Sequence, residues 1–313
     1  MNTLEIRNLS LSANINSKKY NIVNNVSIKI EKGQTVAIVG ESGSGKTLTA
    51  LSIIKLLDKN IFIESGEIIF KGKNIAQLGE NEIRKLRGKE ISFVFQEPLT
   101  ALNPVVNIQT QMIEVLIQHK LADKKNAINK ARELLKTVGI PPDKIKMYPH
   151  NFSGGQRQRI LIATSLLTDP SLIIADEPTT ALDVVTQIEI LNLLEKLKKE
   201  KELSVMLITH NFAIVSQYSD YVYVMYLGEI MEEGKTEDII KNPRHPYTKS
   251  LIESIVKLEK KDTLKTIKGI MPSIFEMPRG CRFMTRCNFA NEKCMKKPPS
   301  NKTESGFYSC WNV

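Results

Sequence analysis

Apolar and polar residues alternate at Leu4, Ile6 and Leu9, and again at Val26, Ile28 and Ile30, which predicts two strands joined by a polar connection containing Tyr20. The run Thr35 to Val39 is mostly apolar and stops at Gly40, as a buried parallel strand does. A helix is predicted from Lys46 to about Leu57, and strands over Ser65 to Phe70 and Ile91 to Phe95. From 97 to about 165 the period becomes helical, over Asn107 to His119, Asn126 to Val138 and Gly154 to Leu167, with breaks at Pro141-Pro142 and Tyr148-Pro149. Short buried strands follow at Leu172 to Ala175 and Val205 to Ile208, with a helix near Thr186 to Lys201 between them. Tyr221 to Leu227 and Glu229 to Met231 read as a hairpin around Gly228. Strands alternating with helices predict an α/β fold, a mostly parallel sheet covered on both faces. Beyond Lys241 the periodicity weakens and Pro and Lys accumulate, which predicts a division into 1–240 and a small C-terminal domain, 241–313.

The length of 313 residues suits two domains, or one with an appendage, and 42% hydrophobic with 25% charged residues is ordinary for a globular chain. The longest uncharged apolar stretch near the middle, Ile160 to Thr168, is far too short to cross a bilayer, so no membrane span is expected. Glu5 and Arg7 stand where a signal peptide needs apolar residues, so export is not expected. The net charge of +10 favours anionic partners without choosing among them. Its densest groups, Lys196 to Lys201 and Lys257 to Lys261, read as solvated helix faces.

More specific chemistry lies between the third strand and the helix after it. Gly40-Glu41-Ser42-Gly43-Ser44-Gly45-Lys46-Thr47 fits G-x-x-x-x-G-K-[ST]. Glycines let the backbone curl so that successive N–H groups face a phosphate, and the following helix adds its positive end. Lys46 would reach the β- and γ-phosphates, and the Thr47 hydroxyl would ligate Mg²⁺. A second acidic site closes the apolar strand Leu172-Ile173-Ile174-Ala175 with Asp176 and Glu177. Asp176 would hold Mg²⁺ through water, and Glu177 would polarise an attacking water as general base. Taken alone, that pair also reads as a helix cap before Pro178.

The four cysteines all fall near the C-terminal end, as Cys281-x5-Cys287-x6-Cys294-x15-Cys310. Such clustering points to metal binding more than to disulfides in a reducing compartment, yet the spacing is neither the common zinc pattern nor a ferredoxin pattern.

Further motifs make the chain resemble the ATP-binding subunit of an ABC transporter. Phe152-Ser153-Gly154-Gly155-Gln156 resembles the family's LSGGQ signature, with Phe for Leu, and Ser153 lies 107 residues after Lys46. Gln96 fits the glutamine after a core strand, Ala181-Leu182-Asp183 the loop that touches an opposing subunit, and His210 the switch histidine. Asn211 stands where the family usually has Asp, which implies a changed supporting contact and not lost activity. The resemblance covers about 1–240. It implies a P-loop NTPase (RecA-like) core, an antiparallel β subdomain, and a helical insertion over about 97–165.

By the same resemblance, Tyr20 stacks on adenine, Gln96 senses Mg²⁺ or water, and His210 steadies the γ-phosphate. Two subunits pack head to tail, so that Ser153, Gly154, Gly155 and Gln156 of each close over the other's ATP. His245-Pro246-Tyr247-Thr248 followed by Leu251 resembles the extension of oligopeptide, dipeptide and nickel importers. Relatives there hold a [4Fe–4S] cluster on cysteines arranged like these. Arg282, Arg286 and Lys293 would then offset thiolate charge, while zinc and free or disulfide-bonded cysteines remain alternatives. The expected function is an ATPase, a translocase subunit powering a di- or oligopeptide importer, with nickel or a metal chelate as the alternative solute. The implied partners are a second, related ATPase chain, two integral-membrane permease subunits and, indirectly, an extracytoplasmic solute-binding protein, at the cytoplasmic face of the membrane. No nucleic-acid partner is expected. A ribosome-associated relative would carry two cassettes, and a DNA-repair relative would need a far longer insert than 107 residues.

Overall fold

A computed structural model describes residues 2–180, 182–254 and 267–312. The strands and helices follow in chain order: β1 (Asn2–Ile15), β2 (Lys18–Glu31), β3 (Thr35–Val39), α1 (Lys46–Ile53), β4 (Ile61–Phe70), β5 (Lys73–Asn74), α2 (Glu80–Ile83) and β6 (Ile91–Val94). The middle of the chain is helical, with α3 (Pro98–Ala101), α4 (Ile108–Gln118), α5 (Lys124–Thr137) and α6 (Gly154–Leu166). Then come β7 (Leu172–Asp176), α7 (Val184–Lys201), β8 (Ser204–Thr209), α8 (Phe212–Tyr218), β9 (Tyr221–Tyr226), β10 (Glu229–Lys235), α9 (Thr236–Lys241), α10 (Pro246–Glu253), β11 (Ser300–Lys302) and β12 (Phe307–Ser309).

These elements group into two compact units. One holds Glu31–Gln34 and Leu78–Leu207; the other holds Asn2–Ile30, Thr35–Gln77 and the described residues from Ile208 onward. In the first unit β6 and β7 pair in parallel, Ile91 opposite Leu172 through Val94 opposite Ala175. Every residue of β7 is buried, which explains its unbroken apolar run. The helices α4 and α5 start from side-chain caps: Asn107 accepts from the Thr110 N–H and Asp123 from the Asn126 N–H. Both turn an apolar stripe inward, Ile108, Met112 and Leu116 on α4 and Ala127, Ala131 and Leu135 on α5.

In the second unit β2, β1, β4 and β5 form an antiparallel sheet in that order, and β9 lies parallel to β3, with Val36 opposite Tyr221. From β9 outward the pairing is antiparallel through β10, β12 and β11, so the sheet is mixed. Strands β1 and β2 are longer than the alternation at their centres suggests, because polar residues continue the ladders. Tyr20 therefore sits within β2 and not in a connection; the turn is Asn16-Ser17, both at positive φ. The helix expected from Lys46 to Leu57 ends at Ile53. Weak periodicity also concealed α10, β11 and β12. Of the lysines read as solvated, Lys198 is buried, its ammonium 3.3 Å from Glu195; the group Lys257 to Lys261 lies outside the described residues.

The β9–β10 hairpin carries an unusual carboxyl. Glu233 is half-buried opposite Tyr223, and the Tyr221 hydroxyl donates to it at 3.2 Å. Burial pushes its pKa from 4.5 up to about 7. The folded form thus holds a proton that the unfolded chain releases above about pH 4.5, so Glu233 makes stability fall as pH rises toward 7. Replacing it with Gln should raise stability at pH 7.5 by at most about 3 kcal/mol and flatten the dependence between pH 4.5 and 7. Urea melts across that range check this; an unchanged slope would exclude a titrating Glu233.

Candidate nucleotide and cysteine sites

The phosphate loop leaves β3 at Gly40. A Cβ there would lie 2.1 Å from the Met225 carbonyl oxygen, so no other residue fits. Gly43 and Gly45 take φ of +82° and +100°, the left-handed region where glycine carries no steric penalty. Lys46 is buried at 5% exposure, and its Nζ donates to the carbonyl oxygens of Gly40 at 2.8 Å and Glu41 at 2.9 Å. That ammonium is held inside the curl of the loop, while Ser42 and Thr47 remain exposed and Ser44 is buried. A glycine cradle with a lysine folded into it fits a phosphate chain. In the same unit Tyr20 meets Phe275 edge-on, ring centroids 4.9 Å apart.

In the first unit Asp176 ends β7 at 3% exposure. Glu177 follows at φ +45°, a strained conformation for a residue with a side chain. Its Oε2 accepts from Gln96 Nε2 at 3.2 Å and from Thr180 Oγ1 at 2.8 Å. Gln96 and Glu177, 81 positions apart in sequence, are thereby brought together.

The signature segment forms the exposed tip of α6. Ser153 is its N-cap: the hydroxyl accepts from the Gln156 N–H at 3.3 Å, and Gln156 Oε1 accepts from the Ser153 N–H at 3.0 Å, a reciprocal capping box. Phe152, in place of the family's leucine, is buried and anchors the tip. Gly154 is exposed, whereas a Cβ on Gly155 would come within 2.4 Å of Thr186 Cγ2 on α7. Gly155 is therefore required for α6 to approach α7. Of the Ala181-Leu182-Asp183 loop, Ala181 lies outside the described residues, and Asp183 caps α7 by accepting from the Thr186 N–H. His210 is exposed after β8. Asn211 caps α8, accepting from the Ala213 N–H; Asn serves there as well as Asp.

Around the C-terminal motif, Glu232 is buried and accepts from the Arg244 N–H at 2.7 Å and the His245 N–H at 3.0 Å. Burial pushes His245 down to about 3, so it is neutral, and its Nδ1 accepts from the Tyr247 N–H at 3.1 Å to start α10. The motif is thus a buried, self-capped helix start.

The cysteines are free thiols, so the disulfide alternative is not formed; Cys281, Cys294 and Cys310 are buried and Cys287 is half-buried. Burial pushes the Cys281 thiol up to about 11, and the other three thiols add to that shift. Amide donors face two sulfurs, Phe289 N–H to Cys287 Sγ and Asn312 N–H to Cys310 Sγ, each at 3.4 Å. Even so, among the described residues no group of three or more His, Cys, Asp or Glu is arranged to hold a metal ion. The expectation that Arg282 and Arg286 balance thiolates is corrected. Arg282 donates to the Leu227 carbonyl at 2.6 Å and pairs with Glu229 at 3.3 Å, and Arg286 pairs with Glu41 at 2.9 Å. Sequence reasoning missed this last contact; the available signal was an acidic residue inside a phosphate loop, which calls for a cation.

A glycine cradle around a buried lysine, an acidic strand end and a serine-capped glycine tip define the ATP-binding cassette class of P-loop proteins. The chain belongs to the ABC transporter family, which it matches over residues 23–180, and it matches the oligopeptide/dipeptide transporter C-terminal region over 231–294. It is 42% identical to the dipeptide transport ATP-binding protein DppD of Bacillus subtilis over 98% of this chain and 94% of that protein. It is 44% identical to the oligopeptide transport ATP-binding protein AppD of the same organism, over 95% and 92%. Among solved structures, the dimeric post-hydrolysis state of the cassette MJ0796 bound to ADP and Pi is 30% identical, with TM-score 0.67, covering 74% of this chain and 98% of that one.

Proposed function

We propose that this chain is the ATP-hydrolysing subunit that powers a membrane importer of dipeptides or oligopeptides. The observation that carries the reading is the presence, in one chain, of the cassette and the oligopeptide/dipeptide transporter C-terminal region. Relatives named for dipeptide and oligopeptide transport, similar along nearly the whole chain, support peptides over nickel as the solute. Among the described residues no helix is long and apolar enough to cross a membrane, which fits a subunit docked on separate permease chains.

Each site residue then has a part. Loop residues 40–47 wrap the phosphates, Lys46 holds the β- and γ-phosphates, and Tyr20 faces the adenine. Thr47, Asp176 and Gln96 would hold Mg²⁺, which neutralises developing phosphate charge. Glu177 takes a proton from the attacking water, and His210 steadies the γ-phosphate. Ser153 to Gln156 close over the nucleotide of a partner ATPase subunit, so ATP joins the two and hydrolysis parts them. The ATPase domain is assigned to 1–240 with its insertion at 97–165, and the cysteine-bearing domain to 241–313. The subunit would sit peripherally on the cytoplasmic face of the membrane, with an extracytoplasmic protein delivering the solute. Reconstitution in vesicles with the two permease chains, the partner ATPase chain and the solute-binding protein tests this. ATP-dependent uptake of a labelled peptide is expected, and failure of the chain to bind the permeases would overturn it.

A [4Fe–4S] cluster on Cys281, Cys287, Cys294 and Cys310 is part of the proposal. It is supported by four free thiols gathered in the C-terminal segment and by the amide donors on two sulfurs. Among the described residues the thiols are not arranged to hold a metal ion, so the cluster would require them to rearrange. Anaerobically purified protein should contain about four iron and four sulfide per chain. Stoichiometric zinc, or no metal, would remove the cluster.

A further inference from the structure

The C-terminal segment from Ile267 to Cys287 runs beside the phosphate loop within one compact unit. Its chief contact is Arg286, whose side chain is 5% exposed. Nη1 lies 2.9 Å from both carboxylate oxygens of Glu41, the second residue of the loop. The other guanidinium nitrogens are occupied as well: Nε donates to the Lys268 carbonyl at 2.9 Å and Nη2 to the Gly269 carbonyl at 3.2 Å. The Tyr226 ring packs against the guanidinium at 5.9 Å. From a second element, the buried Tyr247 hydroxyl accepts the Glu41 N–H at 2.9 Å. A third contact is Met271, whose sulfur lies 3.9 Å from where a Cβ on Gly43 would stand.

Two physical consequences follow. A carboxylate within a phosphate loop repels the phosphates, and a buried guanidinium beside it cancels that repulsion. A loop of glycines has little stiffness of its own, so fixing Glu41 by both backbone and side chain lowers the entropy lost when a nucleotide binds. We infer that Arg286 and Tyr247 are positioning residues for ATP: they neutralise and pin Glu41, and so make nucleotide affinity depend on the C-terminal cysteine-bearing segment. This rests on the reading of 40–47 as the phosphate site. The coupling is reciprocal, so bound nucleotide also steadies Arg286.

The test is steady-state ATPase and nucleotide binding by the full chain, with melting curves as a control for folding. Arg286→Gln should raise KM for ATP about tenfold with kcat within about twofold, and Arg286→Lys, which keeps the charge but not the planar set of contacts, should raise it by less. The double variant Glu41→Gln/Arg286→Gln should recover most of the lost affinity, because the stranded carboxylate is gone. Should the Arg286 variants fail to fold, Tyr247→Phe, which removes only a hydroxyl, should still raise KM about threefold. An Arg286→Gln protein with a lower melting point but unchanged KM would make the contact merely structural and overturn the inference. So would a double variant no better than the single, or an Arg286→Gln protein that binds ATP more tightly. Lys46→Ala separates the two levels. If that change leaves ATP affinity intact, the phosphate-site reading fails; if it abolishes binding while Arg286 and Tyr247 variants bind normally, only the positioning role fails.

Discussion

Glu177→Gln should lower ATP turnover by about 10²- to 10³-fold while leaving ATP affinity within a few-fold, so that an ATP-bound dimer accumulates. The geometry explains the split. Gln96 and Thr180 both donate to Oε2 of Glu177, and the backbone at φ +45° aims this side chain whatever its charge. Glutamine keeps the shape and an accepting oxygen but cannot take a proton from water. Binding, assigned by the proposed reading to the glycine loop and Lys46, should be left alone. Size-exclusion chromatography with ATP, together with phosphate release, reads both effects. Turnover at the unmodified rate would remove Glu177 as the base.

Lys46→Ala acts on the other half of the chemistry and should weaken ATP binding by at least about 100-fold, some 2.7 kcal/mol. A buried ammonium beside a phosphate chain makes charge-assisted hydrogen bonds that no neighbouring group replaces. Lys46 also ties the carbonyls of Gly40 and Glu41 together, so its loss loosens the loop that must receive the phosphates. Calorimetric titration with ATP and ADP measures the loss. Both nucleotides should suffer, because the β-phosphate is common to them.

Much of this was legible in the sequence because the relevant signals are local. A phosphate loop needs glycine where φ is positive and where a carbonyl presses close, and Gly40, Gly43 and Gly45 satisfy that within a few residues. The tip of α6 is equally local, since Ser153 and Gln156 cap each other across a single turn. The closing strand β7 announced itself by being buried on both faces. What escaped depends on distant pairings. Tyr20 reads as loop because its polar neighbours resemble one, yet the ladder of β2 runs through them. Nothing near Arg286 in sequence points to Glu41, 245 positions away. The short strands β11 and β12 lack apolar alternation because their backbone partners, not their side chains, hold them in place.

Those two strands have a practical consequence. β12 pairs with β10 at Glu232 and Glu233, and β11 pairs with β12. A truncation made to isolate the cassette by cutting before Ser300 would strip β10 of that cover. Its bare amide row would then be free to recruit the same strand of another molecule. Such fragments should clump during expression for a reason unrelated to catalysis, and the cysteine-rich tail doubles as the hem of the sheet.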